Sequence, residues 1–166
     1  MSTHEVEQLE FAISRGDEGL LQRMITNHRL DPTTHENYAL RRVASLGQVG
    51  MVQVLLRDGR ADPTARESEA LRGAAREGHL EVVSLLMEGG ADPSANHNEA
   101  LFLASQRGDL PLVRLLLGDR RVQEGDLQNS LGVATVEGHQ GVVNELLNYT
   151  TTMGIYCSDC NKLRRF

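Results

Sequence analysis

The strongest constraint on this chain is a period. Glycines that end a helical pattern fall at Gly16, Gly47, Gly78, Gly108 and Gly138, in steps of 31, 31, 30 and 30 residues. Seven residues before each stands a leucine (Leu9, Leu40, Leu71, Leu101, Leu131), and four before each a small or β-branched residue (Ala12, Val43, Ala74, Ala104, Ala134). After each glycine, four apolar columns recur at helical spacing; in the third copy they are Val82, Val83, Leu86 and Met87. Apolar spacing of this kind on both sides of a glycine describes two helices joined by a tight turn. One such pair cannot bury its own apolar face. A fixed period in this range therefore implies a stacked array in which each unit covers the next.

The first helices of the units are expected over Glu5–Ser14, Tyr38–Leu46, Ser68–Glu77 and Glu99–Arg107. The second helices follow over Leu20–Thr26, Gly50–Arg57, Leu80–Glu88 and Leu110–Gly118, with Pro111 in a first turn where its missing N–H is harmless. The polar segments Asn27–Asn37, Asp58–Glu67, Gly89–Asn98 and Asp119–Gln128 read as loops, and none reads as a strand. The fifth unit, Asn129–Asn148, carries Gln140, Gly141, Asn144 and Glu145 outside its core columns, which suits a terminal cap facing water. One domain over residues 1–148 is expected, with repeats at about 5–31, 37–62, 68–92, 98–122 and 128–148. Tyr149–Phe166 leaves the pattern and is expected to be a loosely held tail.

Composition narrows the partners and the compartment. Aromatic residues make up only 4%, which suits thin layers of Ala, Leu and Val. A net charge of −6 argues against nucleic acid or an anionic membrane as the main partner. Two cysteines cannot staple 166 residues, and Met1–Glu10 has neither a basic nor an apolar leader region. No apolar run approaches the roughly 18 residues of a membrane span. The expectation is a soluble, monomeric, cytoplasmic protein. Of 17 basic residues 16 are Arg, the cation favoured for planar, multi-donor contacts, although codon usage is the simpler explanation of the bias.

The run Ala74-Ala75-Arg76-Glu77-Gly78-His79-Leu80-Glu81-Val82-Val83-Ser84-Leu85-Leu86, followed by Gly89-Gly90-Ala91-Asp92, resembles the ankyrin repeat. The resemblance covers roughly Glu5–Asn148 and is most specific in the middle three units. It implies an all-α solenoid of about five stacked helix pairs that acts as a protein-binding scaffold through its concave first-helix face. Two departures stand out. The units have 30 or 31 residues where the family has about 33. The usual TPLH is replaced by Tyr38-Ala39-Leu40-Arg41, Glu69-Ala70-Leu71-Arg72 and Glu99-Ala100-Leu101-Phe102. The shortening falls where the family projects its β-hairpin finger.

The resemblance places partner-facing residues before each glycine and at the start of the first helices. Arg41, Arg72, Arg76 and Arg107 could then line a cationic stripe for an acidic segment, with Leu46, Glu77, Gln106 and the aromatic Phe102 beside it. Against this, the arginines could simply sit on a solvated face neutralised by Glu69, Glu77 and Glu99, and Phe102 could pack on a neighbouring loop. His79 and His139 recur at one repeat position, which argues for a structural role in the turn. Cys157 and Cys160 form an isolated CxxC, a weak candidate for metal because tetrahedral zinc wants four ligands. No phosphate-binding loop, HExxH or framed nucleophile is present, so neither catalysis nor a cofactor is expected. Two other readings stay open: a structural module that self-associates, and a zinc- or redox-responsive module using the CxxC.

Overall fold

The computed structural model describes residues 3–122 and 127–152. Ten helices follow one another among them: α1 (Thr3–Arg15), α2 (Glu18–Thr26), α3 (Thr34–Ser45), α4 (Val49–Asp58), α5 (Ala65–Glu77), α6 (Leu80–Glu88), α7 (Ala95–Arg107), α8 (Leu110–Leu117), α9 (Leu127–Val136) and α10 (Gln140–Thr152). No strand occurs among the described residues. The odd-numbered first helices α3, α5, α7 and α9 pack in one row, and the even-numbered second helices stack behind them in another. The chain is an all-α, helix–turn–helix solenoid. Its core lies between the two rows and contains the leucines of the period, Leu9, Leu40, Leu71 and Leu101, each with no exposed surface.

The glycine of each unit closes a first helix by a repeated pair of hydrogen bonds. The N–H of Gly78 donates to Ala75 and that of His79 to Ala74, with Gly78 at φ +81°. Donation back across the last turn recurs at Gly16, Gly47, Gly108 and Gly138. This is the Schellman arrangement, and it needs a left-handed residue at the glycine. It also accounts for the column four residues earlier. That residue's carbonyl must be reached closely, and Ala12, Val43, Ala74, Ala104 and Ala134 are all buried there. The second helices α2 and α8 start from Asp17 and Asp109, whose carboxylates accept from the N–H of Leu20 and Leu112.

The segments read as loops have more structure than their sequence suggests. In the first three, an Asp-Pro turn is locked by the aspartate, which accepts from both the N–H and the hydroxyl two residues on: Asp31 from Thr33, Asp62 from Thr64, Asp92 from Ser94. Then three consecutive residues adopt left-handed helical backbone before the right-handed helix begins. They are His35, Glu36 and Asn37; Arg66, Glu67 and Ser68; and Asn96, His97 and Asn98, with φ between 49° and 61°. Left-handed backbone costs about 1–2 kcal/mol per L-residue and rarely persists beyond a single residue. Something must hold three in a row, three times over.

Two ties do so. The last left-handed residue is buried and reaches into the next unit: Asn37 Oδ1 accepts from the N–H of Asp62 at 2.8 Å, and Ser68 Oγ from that of Asp92 at 2.8 Å. The second tie is an arginine. Arg41 donates through Nε to the carbonyl of Glu36 (3.2 Å) and through its terminal nitrogens to that of His35 (3.0 Å) and to Glu69 of the next unit (3.0 Å). Arg72 repeats this on Glu67 (3.0 Å), Arg66 (3.0 Å) and Glu99. In place of a projecting finger, the first two of these turns are folded down and riveted to the following unit.

The C-terminal boundary also differs from the sequence reading. Helix α10 continues to Thr152, past the Asn148 where the apolar columns end, and the hydroxyl of Tyr149 donates to the carbonyl of Val122 at 3.4 Å. Thr150 and Thr151 donate back to the carbonyl of Leu147 within the helix. Gln140, Gly141 and Asn144 face solvent as a cap requires, while Glu145 pairs with Arg114 of the preceding unit at 2.9 Å. Cys157 and Cys160 lie outside the described residues.

Candidate functional site

The row of first helices carries a groove of about 770 Å3 between α3 and α5. Its position follows from one residue. At the column two after the period leucine the other units have Phe11, Arg42, Leu103 and Val133, but α5 has Gly73. A Cβ on Gly73 would meet only Ser45, at 3.6 Å, so the floor is open. Around it stand Arg42, Arg66 and Arg76, with Glu36, Glu67 and Glu69 between them.

The groove separates two kinds of arginine that look alike in sequence. The side chains of Arg41 and Arg72 are only 17% and 16% exposed, and their donors are engaged by backbone carbonyls and a carboxylate. They hold the fold. Arg42, Arg66 and Arg76 are 42%, 51% and 58% exposed. Their ion pairs are to Glu10 (3.6 Å), Glu36 and Glu69 (3.3 and 2.9 Å), and Glu99 (3.5 Å). Pairs this accessible are worth about 0–1 kcal/mol and exchange readily. Sequence reasoning singled out Arg41 and Arg72 and passed over Arg42 and Arg66. A signal was available, because Arg41 and Arg72 share a register with each other whereas Arg42 and Arg66 do not.

The remaining expected residues scatter. Leu46, 43% exposed, and Glu77 and Gln106 sit at the ends of first helices facing solvent. Arg107 is exposed but lies across the turn of the preceding unit, its guanidinium 2.9 Å from where a Cβ on Gly78 would stand. Phe102 is half-buried, lining a separate cleft with α9. The histidines are structural: His79 and His139 pack over Gly47 and Gly108.

Charge at the groove is balanced by local geometry. Burial pushes the Glu99 carboxyl up, but hydrogen bonds from Asn96 and Arg72 and the nearby Arg76 charge outweigh it, so the net direction is down. The hydrogen bond that Tyr38 donates to Glu10 at 2.7 Å, together with burial, pushes its phenol up. Among the described residues no group of three or more His, Cys, Asp or Glu is placed to hold a metal ion. No helix among them is long and apolar enough to cross a membrane.

The arrangement is a set of exchangeable cations around an open floor on a rigid helical frame. Such a surface can bind a charged segment, and proteins built of ankyrin repeats are generally protein–protein interaction modules and typically non-enzymatic. No curated protein matches the chain. The family model for ankyrin repeats (three copies) matches residues 9–97 and again 71–159, spanning nearly the whole stack described above. With helix pairs stacked at that period and a family match over most of its length, the chain belongs to the ankyrin-repeat family.

Proposed function

We propose that this array is a non-enzymatic scaffold that takes an acidic or mixed-charge segment of another protein in the groove between α3 and α5. The supporting observation is the ring of three accessible guanidinium groups, Arg42, Arg66 and Arg76, around the floor opened by Gly73. Incoming carboxylates can replace the weak intramolecular partners Glu10, Glu36 and Glu69 at little net expense. Leu46, Glu77, Gln106 and Arg107 extend the same face, and a standard interface needs about 800 Å² from each partner. Arg41 and Arg72 also line the groove, with their donors already engaged by the fold. A single domain over residues 1–148, working as a monomer in the cytoplasm, accords with this reading.

A second reading, end-to-end stacking of arrays, is favoured by Val136, which is 85% exposed on the last first helix. Sedimentation of the wild type beside Val136→Ser distinguishes it: stacking requires a concentration-dependent mass that the substitution reduces.

The groove itself is tested by affinity capture and mass spectrometry with two variants. The first is the triple change Arg42→Glu, Arg66→Glu and Arg76→Glu. The second, Gly73→Leu, fills the floor and keeps the charges. Circular dichroism checks that both fold. A partner captured by the wild type and lost by both variants supports the groove; a partner retained by both would sink it. Arg41→Glu and Arg72→Glu are unsuitable here because they would report on the fold.

A further inference from the structure

The groove between α3 and α5 gathers positive charge on a chain that is acidic as a whole. Five arginines and three glutamates line it, a net charge of +2, against −6 for the protein. Arg41 and Arg72 are engaged by the turns, so the preference of the site rests on Arg42, Arg66 and Arg76. Arg42 meets Glu10 at 3.6 Å, beyond hydrogen-bond reach. Arg76 reaches Glu99 at 3.5 Å, at the long end of that reach, and Glu99 also accepts from Arg72 and Asn96. Arg66 meets Glu36 and Glu69 at 3.3 and 2.9 Å through Nε, and Glu69 accepts from Arg41 as well. Each accessible guanidinium is thus balanced by carboxylates that stand at long distance or serve another donor too.

We propose, building on the reading of this groove as a site for an acidic segment of a protein partner, that the segment it selects is phosphorylated, with the phosphate seated among Arg42, Arg66 and Arg76. A partner's carboxylate brings no more charge than the glutamate it displaces, and the resident glutamate has the advantage of its tether. A phosphate monoester carries a charge of about −1.5 to −2 near pH 7 and three strong acceptor oxygens. It can therefore accept from more than one guanidinium at once, each through the planar fork that matches phosphate geometry. The carboxylates it displaces can turn into water: the side chains of Glu36 and Glu10 are 68% and 36% exposed. Flanking residues of the segment have room, because the groove measures about 770 Å3 and Gly73 keeps its floor low. The overall charge of −6 repels a broad anionic membrane more than a narrow peptide that meets the groove alone.

The test titrates the full chain, followed by amide NMR, with short blocked alanine peptides carrying phosphoserine, phosphotyrosine, glutamate or serine at the centre. The phosphorylated peptides are expected to shift the resonances of Ser45, Arg66 and Gly73 and to bind about tenfold tighter than the glutamate peptide. The serine peptide should bind more weakly still. Arg66→Gln and Arg76→Gln should each lower phosphopeptide affinity about fivefold, and Gly73→Leu should abolish binding. Arg23→Gln, at an exposed position on α2, should leave the affinity unchanged. Glutamate binding as tight as that of both phosphorylated peptides overturns this inference and leaves the acidic-segment reading intact. Groove resonances unmoved by every peptide overturn it too, whereas the acidic-segment reading falls only if the charge and floor variants also retain the captured partner. Phosphopeptide affinity undiminished in both Arg66→Gln and Arg76→Gln would overturn the placement of the phosphate. Sedimentation with vesicles of equimolar phosphatidylcholine and phosphatidic acid, lost in the same variants, would assign the phosphate to a lipid headgroup and overturn the proposal.

Discussion

The imidazole of His79 lies over Gly47 of the preceding unit, 2.6 Å from the point where a Cβ on that glycine would stand, and its Nε2–H donates to the Ser45 carbonyl at 3.3 Å. His139 repeats this over Gly108, donating to Gln106 at 3.0 Å. Each histidine caps a carbonyl left over at the end of a first helix, and the glycine beneath leaves it room. One unit's turn is thus completed by the next unit's side chain.

Gly47→Ala and Gly108→Ala should therefore destabilise more than Gly59→Ala. All three glycines have positive φ, but around Gly59 nothing lies within 4 Å of a Cβ. The Gly59 change should lose about 1–2 kcal/mol from backbone conformation alone. At Gly47 and Gly108 a further 1–3 kcal/mol is expected from collision with the ring. Urea denaturation of each variant measures the difference, and the double change Gly47→Ala with His79→Ala should recover part of the excess.

Arg72→Met should lower stability by about 2–3 kcal/mol, since it removes the charged partner of two turn carbonyls and leaves Glu99 poorly compensated in a mostly covered site. Arg72→Lys should rescue less than half of that, because one ammonium cannot address three acceptors. Arg42→Met, on the same face but weakly paired, should stay within about 0.5 kcal/mol of wild type. Equal losses at positions 42 and 72, read by thermal or urea unfolding, would contradict the division into framework and surface arginines.

Ser68→Asn should stabilise the array by up to about 1 kcal/mol. Ser68 is a left-handed residue (φ 55°) in a register where the neighbouring units use Asn37 and Asn98. Asparagine tolerates this backbone better than serine, and its Oδ1 can accept from Asp92 as Asn37 does from Asp62. Ser68→Ala should cost about 1–2 kcal/mol, having lost the tie and kept the strain. Melting temperatures of the pair decide the sign.

Stability should fall in acid. Glu99 sits below its ordinary value of 4.5, and Asp58 and Asp119 below 3.8; the two aspartates are lowered chiefly by hydrogen bonds from Arg60 and Arg121. A carboxyl whose pKa is lowered by folding binds its proton more tightly in the unfolded chain. Its stabilisation is complete above the unfolded value and is lost as pH drops through the folded one. Unfolding free energy measured from pH 7 to pH 3 should be level down to about pH 5 and then decline. Glu99→Gln should make the decline shallower.

The stack could be read from particular residues because the same demand recurs in each unit. Leu9, Leu40, Leu71 and Leu101 meet the same interface each time, and the glycines close helices by local backbone bonds that depend on a few neighbouring residues. The left-handed turns were less legible. His35-Glu36-Asn37, Arg66-Glu67-Ser68 and Asn96-His97-Asn98 share almost no chemistry beyond a small polar third residue, and no local propensity favours three left-handed residues together. The first two are held by an arginine five and six residues on, itself fixed by a carboxylate of the next unit, and by a bond to backbone about 25 residues away, which a local reading cannot weigh.

The sites divide in the same way. That the chain is an ankyrin array with helix-closing glycines was determined by the sequence itself, through short-range patterns repeated at a period. Which arginines are spent on the fold and which remain accessible was decided only in the tertiary structure. Arg41 and Arg42 are adjacent in the chain and both line the groove, yet a step of about 100° around the helix engages one with its own turn carbonyls and leaves the other accessible. The openings at Gly73 and beside Phe102 are likewise places where one unit departs from its copies. What such a departure exposes depends on the neighbouring unit stacked against it.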